Sequence, residues 1–213
     1  MIDMQKKKDY PTKMSLIALL QSLTQAMLTT IIGLLQRYST PKKEQSISHG
    51  REKDMPVIKQ QIEALIQRVL EKASLSSEQA VELLLHTGAV ESGYGAIKQH
   101  PKGPATSFWQ VEPFTACDIW KNYLVYRTSL RAKIVKASNI PERFMDELPS
   151  IEDCEELLHT NLAFAILMAR LVYRRIPKAL PNVGDMNAQA KYWLKYYNAG
   201  GKGTESKFLY ANM

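Results

Sequence analysis

A helix-spaced apolar pattern leaves this chain few folds to choose from. Between Ile151 and Ile176 the residues Leu157, Leu158, Leu162, Ala165, Met168, Ala169 and Val172 recur three or four positions apart, the interval that lines one face of an α-helix. Ser150 stands where an N-cap belongs. Pro177 ends the stretch, because proline lacks an N–H and clashes with the preceding turn. The spacing predicts one long helix over 151–176. Pro56 suits the first turn of another, carrying Ile58, Ile62, Leu65, Ile66 and Val69. Ser76 and Gln79 have capping-box spacing ahead of Ala80, Val81, Leu84 and Leu85. Pro113 opens a helix with Cys117, Ile119 and Trp120, and a last helix is expected from about Ala188 to Tyr197, ended by Gly200-Gly201. Alternating apolar and polar runs are scarce and no internal repeat is visible, so the chain reads as mostly α.

That pattern begins near Met55. Upstream, Ser39–Asp54 is polar, charged and broken by Pro41 and Gly50, the composition of a linker. The organisation is therefore an N-terminal hydrophobic helix with basic flanks (1–38), a polar linker (39–54) and a globular domain (55–213). Met14–Gln36 holds no charged residue, while Lys6, Lys7, Lys8 and Lys13 precede it and Arg37, Lys42 and Lys43 follow. Length and flanks suit a membrane-associating helix. The stripe of Gln21, Gln25, Thr29 and Gln36 suits equally a helix packed on a protein partner. A cleaved signal peptide ranks third, for want of a small-residue cleavage site.

The 28 basic against 21 acidic residues give a net charge of +7, which favours an anionic partner: nucleic acid, a membrane surface or a polyanionic cell wall. No nucleic-acid-binding module is recognisable, and Gly200-Gly201-Lys202-Gly203 follows a helix instead of leading into one, so it is no phosphate loop. Arg127, Arg131, Lys133, Lys136, Arg170, Arg174 and Arg175 read as solvated helix faces. Cys117 and Cys154 match no zinc spacing; one disulfide is open to them, and two buried thiols are favoured. His86 and His100 have no partners at metal-ligand spacing. No metal and no cofactor are expected.

Chemistry is concentrated in His86–Thr115. Glu91 follows Leu84 by seven residues and Ala80 by eleven, so all three share one helix face, the apolar and hence buried one. A carboxyl group at the end of such a face is partly desolvated, which raises its pKa. Gly93-Tyr94-Gly95 then breaks the helix and opens space before it. A protonated glutamic acid at a cleft is what glycosidic cleavage needs, since the leaving oxygen must be protonated. On its own the feature fits a helix-end glutamate in a salt bridge or hydrogen bond somewhat better.

Two further segments stand in order behind it: Ser107-Phe108-Trp109-Gln110-Val111, with Gln110 nineteen residues past Glu91, and Tyr196-Tyr197-Asn198-Ala199-Gly200. Together the three resemble the motif set of the lysozyme-like, soluble lytic transglycosylase family. Glu91-Ser92 matches that family's Glu-Ser pair, Phe108-Trp109-Gln110-Val111 its Gly-Leu-Met-Gln-type segment with bulkier residues, and Tyr197-Asn198-Ala199-Gly200 its Ala-Tyr-Asn-Ala-Gly-type segment. Asn161-Leu162-Ala163 is similar to the family's Asn-Ile/Leu segment. The resemblance covers roughly Leu75–Gly203. It implies a lysozyme-like fold, a cleft for alternating N-acetylglucosamine and N-acetylmuramic acid, and Glu91 as catalytic acid/base. Ser92, Ser107, Trp109, Gln110, Tyr197 and Asn198 would then contact substrate or line the cleft, with Tyr197 orienting the glutamate. Peptidoglycan glycan strands would be the partner, reached at the bacterial cell wall or periplasm. The style of SFWQVEPFT followed by DIWKNYL is similar to that of lysozyme-like proteins carried by bacteriophages, which opens a virion-associated location.

A retaining glycosidase needs a second carboxylate ~5 Å from the first, an inverting one ~6.5–9.5 Å away. Glu112 and Asp118 are candidates by proximity alone, at positions the family does not use. Without an obvious second acid, the family's non-hydrolytic route is favoured over hydrolysis: the substrate's 6-hydroxyl attacks the anomeric carbon and a 1,6-anhydro product leaves. The competing expectation is a structural or assembly protein that keeps such a domain for wall binding. Trp120 and Trp193 are expected in the core, while Trp109, inside the motif, is as fit for a sugar ring as for packing.

Overall fold

The computed structural model describes residues 57–99 and 102–213, which fall in one compact unit, Asp54–Met213. The expected helix of 1–38, the linker of 39–54 and His100 lie outside the described residues. The fold is mostly helical, in the order α1 (Val57–Lys72), α2 (Glu78–Ser92), α3 (Pro113–Asn122), a 3₁₀ turn (Leu124–Tyr126), α4 (Thr128–Ser138), a second 3₁₀ turn (Glu142–Met145), α5 (Ile151–Thr160), α6 (Leu162–Arg174), α7 (Met186–Tyr196) and α8 (Glu205–Ala211). Among the described residues no strand forms; isolated β-bridges join Thr106 to Lys98 and to Val111. No described helix is long and apolar enough to cross a membrane.

The long helix expected over 151–176 is two helices. Asn161 takes an extended backbone (φ −120°, ψ 97°) and its side-chain oxygen accepts the Phe164 N–H at 2.9 Å, capping α6. Its amide nitrogen donates to the Ser138 carbonyl at 2.8 Å, satisfying the end of α4. An asparagine that can bond the backbone locally competes with the helical ladder, and here it wins. Ser150 does cap α5, in a reciprocal capping box with Asp153. α2 starts one residue later than expected: Ser77, not Ser76, accepts the Ala80 N–H. α7 begins earlier, behind an Asp185 cap, and α8 was not anticipated from the sequence.

Freed from α5, α6 becomes the central helix. It packs on α1, α2, α3, α4 and α5, and Phe164 to Ala169, with Leu171, are solvent-inaccessible. A helix apolar all round belongs inside. Trp109, Trp120, Trp193, Tyr173, Phe144, Phe164 and Phe208 complete the core, each burying enough apolar surface to contribute about 2–3 kcal/mol. Two arginines expected on solvated faces are instead buried. Arg131 donates to the carbonyls of Phe144 and Glu147, and Arg170 to that of Leu75, so both serve as caps for loop carbonyls. Arg175 pairs with Asp118 across α6 and α3.

Candidate active site

α2 carries Glu91 in its last turn because the helix is stopped immediately beyond it. Gly93 ends α2 in the left-handed region (φ 59°), its N–H bonding back to the Ala89 carbonyl at 2.9 Å, the conformation glycine adopts without a Cβ penalty. Tyr94 follows, also with positive φ, and folds its ring back onto the helix. Its hydroxyl donates to the Leu85 carbonyl. A Cβ at Gly88 would lie 2.5 Å from that ring, so glycine is required there.

The second segment is tied to the end of α2. Ser92 Oγ donates to the Phe108 carbonyl at 2.8 Å, and Trp109 Nε1 donates to the Leu84 carbonyl at 2.9 Å. Between them 106–111 forms a tight turn. Thr106 and Val111 exchange both backbone bonds at 3.0 Å, and Ser107 and Gln110 sit at φ 72° and 47°. Trp109 is wholly buried and Ser107 nearly so, its Oγ accepting the Trp109 N–H. Neither can line a cleft; both hold the turn. Trp109 is thus core, not a sugar platform. Gln110 is half-buried and spends its amide on the Ser107 carbonyl at 2.7 Å.

The third segment closes on the other two. Tyr197 donates its hydroxyl to the Trp109 carbonyl at 2.8 Å, so it braces the turn and does not grip the glutamate as expected. The side chain that does is Trp193, one helical turn earlier on α7: its Nε1 donates to Glu91 Oε1 at 2.8 Å. Asn198 adds a side-chain hydrogen bond to Glu91 and accepts the Gly203 N–H at 2.9 Å. A Cβ at Gly203 would stand 2.4 Å from the Trp193 ring, so the turn into α8 can press on the indole only as glycine. Trp193 was expected in the core, and it is there. Its contact with Glu91, 102 positions away, has no signal in the sequence.

The electrostatics follow from this packing. Glu91 is half-buried, and burial pushes its carboxyl above the ordinary value; the Trp193 bond, the positive charge of Lys207 on α8 and the Asn198 bond each oppose that only in part. Tyr197 and Tyr173 are raised well above the usual phenol range, first by burial and then by the negative charge of Glu91 beside them. Both rings therefore stay neutral next to the carboxyl. Of the two candidate second acids, Glu112 is exposed at the start of α3. Asp118 is engaged by Asn122 and Arg175, which hold its carboxyl below the usual range. Among the described residues no acid cluster is suited to a metal. Two concave surfaces, of about 820 Å³ between α4 and the second 3₁₀ turn and about 440 Å³ around Ser74, Tyr123 and Arg127, do not include Glu91.

No protein-family model, no curated protein and no solved structure matches the chain.

Proposed function

We propose that the domain is lysozyme-like and cleaves the glycosidic bond between N-acetylmuramic acid and N-acetylglucosamine in peptidoglycan, with Glu91 as its acid/base. The observation that carries this reading is a half-buried carboxyl group of raised pKa, gripped by the indole of Trp193, on which three sequence-distant segments converge. Burial favours the protonated form of such a group, the form that can hand a proton to a leaving glycosidic oxygen. In the non-hydrolytic route Glu91 then accepts the proton of the substrate's own 6-hydroxyl as that oxygen attacks the anomeric carbon. The bond to the leaving sugar breaks and a 1,6-anhydro end forms. No water and no second carboxylate is needed, which suits a chain whose two candidate second acids are exposed or paired elsewhere. Asn198, half-buried and bonded to the carboxyl, and Gln110, half-buried in the turn that Tyr197 braces, are the remaining candidates for sugar contact. The basic chain would be held on an anionic wall by charge, at the cell wall or periplasm, with residues 14–36 as anchor to lipid or to a virion or other protein partner.

The test is a zymogram of the full chain on purified cell walls. Wild type clears the gel and Glu91→Gln does not. Mass spectrometry of the digest shows anhydro ends; reducing ends in their place reject the non-hydrolytic route. A second reading, wall binding without cleavage, rests on the basic balance of the chain. Sedimentation with cell walls without any clearing would establish it.

A further inference from the structure

Cys117 lies on α3 and Cys154 on α5, 37 positions apart in the chain, yet their sulfur atoms are 3.0 Å apart. The two helices pack along each other. Cys154 is buried, while Cys117 is half-buried and so within reach of a reagent in solution. The Cys117 thiol is also aimed at the Ser150 carbonyl at 3.2 Å, which fixes its side chain between the helices. A covalent link needs the sulfurs at ~2.05 Å, so roughly 1 Å of approach separates the thiol pair from a bond.

We propose that Cys117 and Cys154 are an oxidation site, converted by a disulfide-bearing oxidant into an intramolecular cross-link that staples α3 to α5. The Cys117 thiolate attacks one sulfur of the external disulfide, and the other sulfur leaves as a thiolate. Cys154 then loses its proton to water and attacks the Cys117 sulfur of the mixed disulfide, expelling the second external thiol. Two protein thiols are oxidised, and one external disulfide is reduced to two thiols. The order follows from exposure, and from burial pushing the Cys154 thiol far above its usual value while raising Cys117 less. The cross-link closes a long loop that contains α4 and both 3₁₀ turns, and so restricts the unfolded chain. It does not depend on the chemistry at Glu91.

The experiment treats the folded full chain with oxidised glutathione, then alkylates it in denaturant and measures intact mass and peptide links. The expected product is a monomer lighter by two hydrogen atoms, with no alkylatable thiol and with the Cys117 and Cys154 peptides joined. Its thermal midpoint should lie ~5–10 °C above that of the reduced chain. Cys154→Ser should instead trap glutathione on Cys117. Should that variant fail to fold, Cys117→Ser serves in its place, with Cys154 expected to resist glutathione while the chain stays folded. Two free thiols after oxidation of the wild type, a glutathione on Cys117 that Cys154 never displaces, or links only between molecules would each overturn the proposal.

Discussion

Two glutamates on α2 meet α7 and its approach in opposite ways. Glu82, in the first half of the helix, is 5% exposed, and its Oε2 accepts two N–H groups at 2.8 Å, from Gly184 and from the Gln189 side chain. Gln189 in turn is bonded to the His86 ring at 2.7 Å. Glu91, nine residues on, receives the Trp193 indole and an amide from Asn198, and burial still prevails over them. The first side chain holds the loop before α7. In the second, burial raises the carboxyl above its ordinary value. Two donors meet each side chain, so what separates them is access: Glu82 is closed off, whereas Glu91 is only half-buried and can be reached.

The largest effect should come from Glu91→Gln. The glutamine keeps an oxygen for the Trp193 N–H, so the fold survives, while wall-cleaving activity falls by roughly 10²–10⁴. Retention of more than a tenth of the rate in a turbidity assay would remove Glu91 from the mechanism. Glu82→Ala reverses the pattern. It leaves the Gly184 N–H and the Gln189 amide without their buried acceptor, costing about 2–4 kcal/mol in urea unfolding, with activity per folded molecule close to wild type. Equal losses of activity in both variants would erase the distinction between the two glutamates.

The same contrast explains what could be read from the sequence. Apolar spacing exposes the helices, because a face that must be buried repeats with the helix itself; Ile58 through Val69 and Leu157 through Val172 carried that signal. The break at Asn161 was missed because asparagine is tolerated inside a periodic pattern and its capping role depends on the distant Ser138 carbonyl. The raised carboxyl was foreseeable, since Glu91 extends the apolar face of Ala80 and Leu84. Its gripping residue was not: Trp193 reads as any core tryptophan, and only tertiary packing across 102 positions turns its N–H toward Glu91. Ser107 and Trp109 were placed at a cleft by motif alone, whereas their positive-φ turn and burial make them the wall's interior.

A smaller effect separates gripping from packing. Trp193→Phe removes the N–H but leaves most of the ring's volume, so stability should drop by about 1–2 kcal/mol. Burial of Glu91 then loses its principal opposing bond, and its pKa rises further. The alkaline limb of the kcat/KM profile should therefore shift to higher pH, with a lower maximal rate from a less well-placed carboxyl. Gly203→Ala presses a methyl group onto the same indole and should cost ~1–3 kcal/mol. A purely structural tryptophan would lower stability in both variants and leave the pH limb where it was.

The smallest effect is the pH dependence of stability itself. Folding raises the Glu91 pKa, so as pH climbs past the unfolded value of ~4.3 the unfolded chain gives up this proton first. The folded state then binds more protons than the unfolded one, and stability falls with pH until the folded carboxyl also ionises, beyond which the loss is constant. This contribution is fully present below the unfolded pKa and is gone above the folded one. Glu91→Gln has no such proton, so its stability relative to wild type should grow across that window and then level off. The slope must stay under ~1.4 kcal/mol per pH unit, the limit for one proton. If the Glu91→Gln difference were flat from pH 4 upward, the carboxyl would sit in the folded protein as it does in water, and α2 would carry two structural glutamates instead of one.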